Sequence, residues 1–77
     1  MPYTADIIDE LNLLALYNLD TTQEGIKVHS NAGKSVIDAT QRLFDKGLIS
    51  LCDGGYLTGL GREAAEHVHA TLRLLRV

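Results

Sequence analysis

The residues that could do chemistry in this sequence are few and scattered. The three histidines are His29, His67 and His69, and the single cysteine is Cys52. His67 and His69 lie two residues apart, which separates them by about 200° around a helix, so they cannot bind one metal ion together. His29 and Cys52 are distant in the sequence and match no metal-ligand spacing. We therefore predict no metal, no cofactor and no catalytic residue, and we expect that the protein is not an enzyme.

The segment Ala32–Ser35 reads Ala-Gly-Lys-Ser, which is how a phosphate-binding P-loop ends. The full pattern needs an earlier glycine at the position that Val28 occupies, so the pattern is broken. We interpret the segment as the start of a helix that Ser30 or Asn31 caps. Because a helix N-terminus can bind a DNA phosphate, Ser30, Asn31 and Lys34 remain predicted backbone contacts.

The length and composition indicate one small soluble domain, which a dimer interface would stabilise. The chain has 77 residues, of which 45% are hydrophobic and 22% charged, and its net charge is -3. A negative chain is unsuited to coating nucleic acid indiscriminately. A single cysteine cannot form an internal disulfide, and the N-terminus has no secretory pattern. The longest apolar run, residues 13–17, is too short to span a membrane, so we expect a cytoplasmic protein.

Helical periodicity predicts the first helix and leaves the next segment open. The first helix begins at Thr4, a capping residue, and ends near Asn18. Its apolar stripe contains Ile7, Leu11 and Leu14. Residues 21–24 have the capping-box form and predict a short second helix over residues 22–28. Gly25 and the β-branched Ile26 and Val28 weaken this prediction, and an extended segment over residues 26–29 is the alternative.

The third helix and the last helix have clearer ends. Lys46 and Gly47 are typical of a helix C-terminus, and Thr58 can cap the last helix. Gly61 weakens the first turn of that helix, which indicates close backbone packing there. The apolar stripe of the last helix contains Leu60, Ala64, Val68, Leu72 and Leu75. A second stripe, which a small core cannot cover, contains His67, Thr71 and Leu74.

A glycine-tipped β-hairpin is predicted between these two helices. Its strands are residues 49–52 and 56–58, and Asp53-Gly54-Gly55 supplies the positive φ angles that a tight turn needs. With Asp53 and Gly54 in the turn, Leu51 lies opposite Tyr56. With the turn at Gly54-Gly55, Cys52 lies opposite Leu57. Both registers remain open.

The order of these elements resembles the winged helix-turn-helix family over about residues 20–66. The motifs are Lys46-Gly47-Leu48-Ile49, then the hairpin, then Tyr56-Leu57-Thr58 before the last helix. The resemblance implies a mostly α fold: three N-terminal helices, a short β-hairpin wing and a C-terminal helix, with the third helix recognising DNA. We expect residues 1–77 to form this single domain.

The whole chain also resembles a small bacterial family of about this length that has no assigned activity. The segments that carry this resemblance are ELNLLALYNL, GIKVH, QRLFDKGLI and DGGYLTGLG. It implies an intracellular bacterial protein and adds no chemistry.

The distribution of charge favours DNA binding by the middle of the chain. Residues 1–24 contain five acidic and no basic residues, whereas residues 25–50 contain four basic and two acidic ones. Gln41 and Arg42 are predicted to reach base edges, and three lysines to contact phosphates. The predicted DNA-binding residues are Lys27, Ser30, Asn31, Lys34, Ser35, Gln41, Arg42, Lys46 and Tyr56. For Tyr56, packing across the hairpin is the favoured alternative.

Two functional hypotheses follow. The first is a DNA-binding protein, such as a transcriptional regulator, that forms a homodimer through its first and last helices. The second is a protein-interaction module that does not bind DNA. Asp38 and Asp45 would repel phosphate, and the hairpin has no lysine or arginine, which favours the second hypothesis.

Overall fold

Residues 1–76, which the computed structural model describes, form three α-helices and three short β-strands. The elements are α1 (Ala5–Ala15), β1 (Ile26–Lys27), α2 (Lys34–Asp45), β2 (Ile49–Leu51), β3 (Gly54–Leu57) and α3 (Gly59–Leu75). The strands form one antiparallel sheet in the order β1-β3-β2. No helix in the described part of the chain is long and apolar enough to cross a membrane.

Local hydrogen bonds explain where most of the helices begin and end. The Thr4 hydroxyl accepts the backbone N–H of Ile7 at 3.2 Å, and the Thr58 hydroxyl accepts that of Gly61 at 3.0 Å, which confirms both predicted caps. At the end of α2, Gly47 adopts a φ of 76°, as predicted. The cap predicted for α2 is wrong, because Gly33 holds that position and no side chain bonds to it.

The predicted helix over residues 22–28 does not form, and this overturns the winged helix-turn-helix prediction. Two helices, not three, precede the hairpin, and the fold is α/β with a three-stranded sheet. Ile26 and Lys27 pair with Gly55 and Gly54 of β3, so the extended alternative is confirmed. The capping box is absent: the Thr21 hydroxyl instead accepts the N–H two residues later, at 3.1 Å, and closes a local turn.

Gly25 and the β-branched residues explain why the chain is extended here. Both disfavour a helix, and half-buried Ile26 contributes to the core only when the strand lies on the sheet. A Cβ atom on Gly25 would overlap the Gly55 carbonyl oxygen, so this glycine permits β1 to approach β3 closely.

The hairpin forms, but neither predicted register is right. Cys52 and Asp53 occupy the turn, and Leu51 pairs with Gly54. The register shifts by one residue between Leu51 and Ile49, which is a β-bulge in the strand that contains Gly55 at a φ of 77°. Gly54 and Gly55 therefore lie in β3 rather than in the turn.

The core is small and draws on every helix and on the sheet. Its buried apolar side chains are Leu13, Leu14, Tyr17, Ala39, Leu43, Ile49 and Ala65. The Tyr17 hydroxyl donates to the Gly55 carbonyl at 3.1 Å, and burial raises the pKa of Tyr17 to about 12. This bond joins the chain just after α1 to the bulged strand. Ile7, Leu60 and Leu75, which were predicted to face the core, are exposed instead.

Close packing at Gly61 sets the position of α3. The glycine is buried, and a Cβ atom on it would overlap the carbonyl oxygen of Leu48. The Thr58 hydroxyl also donates to the Gly47 carbonyl at 2.6 Å, so the start of α3 is joined to the end of α2. The close backbone approach predicted at this glycine is confirmed.

Replacement of Gly61 by alanine tests this packing. The added methyl group must displace the backbone at Leu48, so we expect Gly61→Ala to lower the free energy of unfolding by about 3 kcal/mol. Gly59→Ala is the matched control, because no atom lies within 4 Å of a Cβ there. Urea unfolding followed by circular dichroism measures both variants, and equal stabilities would contradict the close approach.

Candidate interaction surfaces

Two of the predicted DNA contacts, Arg42 and Lys46, bond to α1. The Arg42 Nε donates to one carboxylate oxygen of Glu10 at 3.1 Å, and the Lys46 ammonium donates to the other. A second nitrogen of Arg42 donates to the Asp6 carbonyl at 3.2 Å. Glu10 is only 6% exposed, so the two cations neutralise a carboxylate that has little access to water. We call Glu10, Arg42 and Lys46 the Glu10 cluster.

The Glu10 cluster shifts the pKa values of its members. Burial by itself raises the pKa of Glu10, but the hydrogen bonds and charges of Lys46 and Arg42 outweigh this effect and lower it below the ordinary 4.5. The hydrogen bond to Glu10 raises the pKa of Arg42. Both cations therefore bond to a carboxylate within the protein, and a DNA backbone would compete with Glu10 for them.

Two further polar pairs of α2 bond along its surface. The Lys34 ammonium lies 2.9 Å from a carboxylate oxygen of Asp38, and the Gln41 amide donates to Asp45 at 3.0 Å. The Lys34 side chain is 88% exposed, so its pair with Asp38 contributes little stability. Lys34 and Gln41 are thus the two predicted DNA-binding side chains that bond to an acidic residue one turn further along α2.

A groove of about 550 Å³ lies between β1, α2 and the hairpin turn. It brings together Lys27, Ser30 and Gln41, three of the predicted DNA contacts. His29 and Cys52 also line it, although they are far apart in the sequence. Among residues 1–76 no group of three or more histidine, cysteine, aspartate or glutamate side chains is placed to hold a metal ion.

The other predicted DNA contacts lie elsewhere on the surface. Asn31 and Ser35 are exposed near the start of α2, and Tyr56 is 50% exposed on β3. The predicted set is therefore divided between the groove, the start of α2, β3 and the Glu10 cluster.

One side of α3 carries a stripe of uncharged residues, most of them exposed. Residues there recur at alternating intervals of four and three, the spacing with which one helix packs along another. They are Leu60, Ala64, His67, Thr71 and Leu74, which we call the α3 seam. Leu60 is 56% and Leu74 67% exposed, and His67 and Thr71 are exposed as the sequence predicted. Only Ala64 is half-buried.

The exposed position of Leu60 was not predicted from the sequence. Leu60 and Ala64 were assigned to the core stripe, yet the residues of α3 that are fully buried are Gly61 and Ala65. The signal was present in the sequence, since a helix that packs through glycine and alanine must turn its neighbouring leucines outward. The alternating intervals of four and three residues between positions 60 and 74 would have indicated this exposed stripe.

Comparison with known proteins identifies a family and no function. A family model described as a family of unknown function (DUF5669) matches residues 1–76. No curated protein and no solved structure matches the chain.

Removing the Glu10 carboxylate tests the Glu10 cluster. At pH 7 we expect Glu10→Gln to lower the free energy of unfolding by about 2 kcal/mol, because two charge-assisted hydrogen bonds are lost. The pKa of Glu10 is lower in the folded state, so its contribution is complete above pH 4.5 and falls as pH drops through the folded-state pKa. The difference between the native chain and the variant should therefore shrink at pH 3.

Urea unfolding at both pH values measures this difference. Glu66→Gln is the control, because Glu66 is an exposed carboxylate on α3 and should behave like the native chain. A difference between Glu10→Gln and the native chain that does not change with pH would contradict the ionic contribution.

Proposed function

This chain belongs to DUF5669, a family of unknown function, and we propose that it acts as a protein-interaction module that binds through the α3 seam. The observation that carries the proposal is the exposure of four of the five seam residues, none of which is a lysine, arginine, aspartate or glutamate. Leucines that are more than half exposed at both ends of one helix face are typical of a surface that another protein covers.

The charges of the chain support the same proposal. Its net charge is -3, and Arg42 and Lys46 are bound to Glu10. Affinity for duplex DNA depends on cations that replace the counterions of several phosphates. On the face that contains the groove and the start of α2, only Lys27 and Lys34 remain for that purpose, and Lys34 is paired with Asp38. Such a surface would bind DNA weakly.

DNA binding, as in a transcriptional regulator, is the competing function, and one observation favours it. The groove places Lys27, Ser30 and Gln41 together, although no sequence pattern required this. A lysine and a serine can contact phosphates, and a glutamine can read adenine. Asp53 lines the same groove and would repel the DNA backbone.

Site-specific photocrosslinking in the host cell tests the proposed function. A photoreactive amino acid at His67, in the centre of the α3 seam, should form a covalent adduct with a protein. Placed at Ser35, an exposed position on α2, it should form none. Mass spectrometry of the adducts identifies the partner. A chain that forms no protein adduct from His67 would overturn the proposal.

A titration with duplex DNA at two salt concentrations tests the competing function. We expect no measurable binding at about 0.15 M salt, because too few cations are free to release counterions. Arg42→Ala is unsuitable as a DNA-binding variant, since it would also disrupt the Glu10 cluster. Lys27→Ala is the better choice, because Lys27 is exposed beside the groove. Tight binding that Lys27→Ala weakens would establish DNA as the ligand.

A further inference from the structure

The groove between β1, α2 and the hairpin turn brings together a thiol and an imidazole that no spacing in the sequence connected. Pairing of β1 with β3 continues one residue beyond both strands, because the Val28 N–H donates to the Asp53 carbonyl at 2.8 Å. His29 follows Val28 and Cys52 precedes Asp53, so each is the next residue from this bond. Consecutive Cα atoms lie about 3.8 Å apart, so both side chains start near the same hydrogen bond. Both line the groove.

Both side chains are free to turn toward each other. His29 and Cys52 are exposed, and the Cys52 thiol forms no disulfide. Exposed side chains exchange rotamers on a timescale of nanoseconds or less, so the sulfur and the ring nitrogens sample a range of separations. Of the three histidines, His29 is the one that lines the groove, whereas His67 and His69 belong to α3. The thiol and the imidazole are therefore available to one bound ion.

The two ligand types determine which ions fit. Thiolate sulfur is a soft ligand that selects Cu⁺, and imidazole also binds copper. Mg²⁺ and Ca²⁺ require oxygen ligands instead. Zinc sites take three or four protein ligands, and in the part of the chain that the structure describes no group of three or more histidine, cysteine, aspartate or glutamate side chains is placed to hold a metal ion. These ligands therefore favour a soft ion that needs only two of them.

The size and the charge of the groove agree with such an ion. Bonds of about 2.3 Å to sulfur and about 2.0 Å to nitrogen, as at zinc, separate two ligand atoms on opposite sides of an ion by about 4.3 Å. Side chains on paired antiparallel segments can reach this separation, since the Cβ atoms of opposite residues lie about 5 Å apart. A monovalent ion replaces the thiol proton, so binding leaves the charge of the groove unchanged.

We propose that Cys52 and His29 form a two-ligand site for a soft monovalent metal ion, of which Cu⁺ is the biological example. The thiol releases its proton to solvent and its sulfur bonds to the ion, while a ring nitrogen of neutral His29 supplies the second bond. No electron is transferred. The site uses no residue of the α3 seam, so its failure would leave the proposed interaction module untouched.

Competition with a chromogenic Cu⁺ chelator, under anaerobic reducing conditions, tests the site. The native chain should remove one Cu⁺ per chain from the chelator. Cys52→Ser should remove none, and His29→Ala should bind Cu⁺ more weakly by about tenfold or more. His67→Ala is the matched control, because His67 is an exposed histidine on α3, and it should bind Cu⁺ like the native chain. Circular dichroism establishes that each variant is folded.

Three outcomes of the competition would overturn the inference. A native chain that takes no Cu⁺ from the chelator would exclude the site. Equal affinities of His29→Ala and the native chain would mean that the thiolate binds the ion without His29. One ion per two chains would mean that the Cys52 thiolates of two copies share it.

Nuclear magnetic resonance of isotope-labelled histidine rings identifies the nitrogen ligand directly. The probe is Ag⁺, a monovalent ion that prefers the same soft ligands as Cu⁺. One Ag⁺ per chain should move the ring-nitrogen resonances of His29 and leave those of His67 and His69 in place. The movement should disappear in Cys52→Ser, because the thiolate holds the ion in the groove. Unmoved His29 resonances in the native chain would overturn the role of this histidine.

Discussion

The ion pairs of Glu10 determine how the first two helices meet. A carboxylate that is 6% exposed is tolerable only when cations and hydrogen bonds replace its lost hydration, and Arg42 and Lys46 supply both. The bonds orient α1 so that Leu13 and Leu14, one turn further along, enter the core. The same bonds pair two cations at the end of α2 with a carboxylate of α1, so one interaction shapes both the core and the electrostatics of the exterior.

Glycines determine where the sheet and the last helix lie. Gly54, at a φ of 130°, lets β1 lie directly against β3, and Gly61 lets α3 lie against the backbone at Leu48. Each of these contacts joins two segments through their main chains, with no room for a Cβ atom. Because α3 packs through its smallest residues, its leucines at positions 60 and 74 are left facing outward. The exposed seam is thus a consequence of how the core is made.

The exposed surfaces of α2 and α3 therefore differ in chemistry. The face of α2 is polar, but most of its charged and amide side chains bond within the protein, to α1 or along the helix. The seam of α3 has no such internal partners and no charge. A surface without internal partners loses little when another molecule covers it, whereas a surface of satisfied ion pairs must lose bonds first. This difference is why we propose α3, and not α2, as the binding surface.

The sequence alone determined the features that depend on neighbours within one turn: the caps at Thr4 and Thr58, the end of α2 at Gly47, and the presence of a hairpin. It also indicated the second stripe of α3. Only the tertiary structure decided that residues 26–27 form a strand, that the hairpin turn is Cys52–Asp53, and that Arg42 binds a carboxylate 32 residues earlier. These outcomes depend on contacts between distant segments, whose energies outweigh the small local preferences from which the sequence was interpreted.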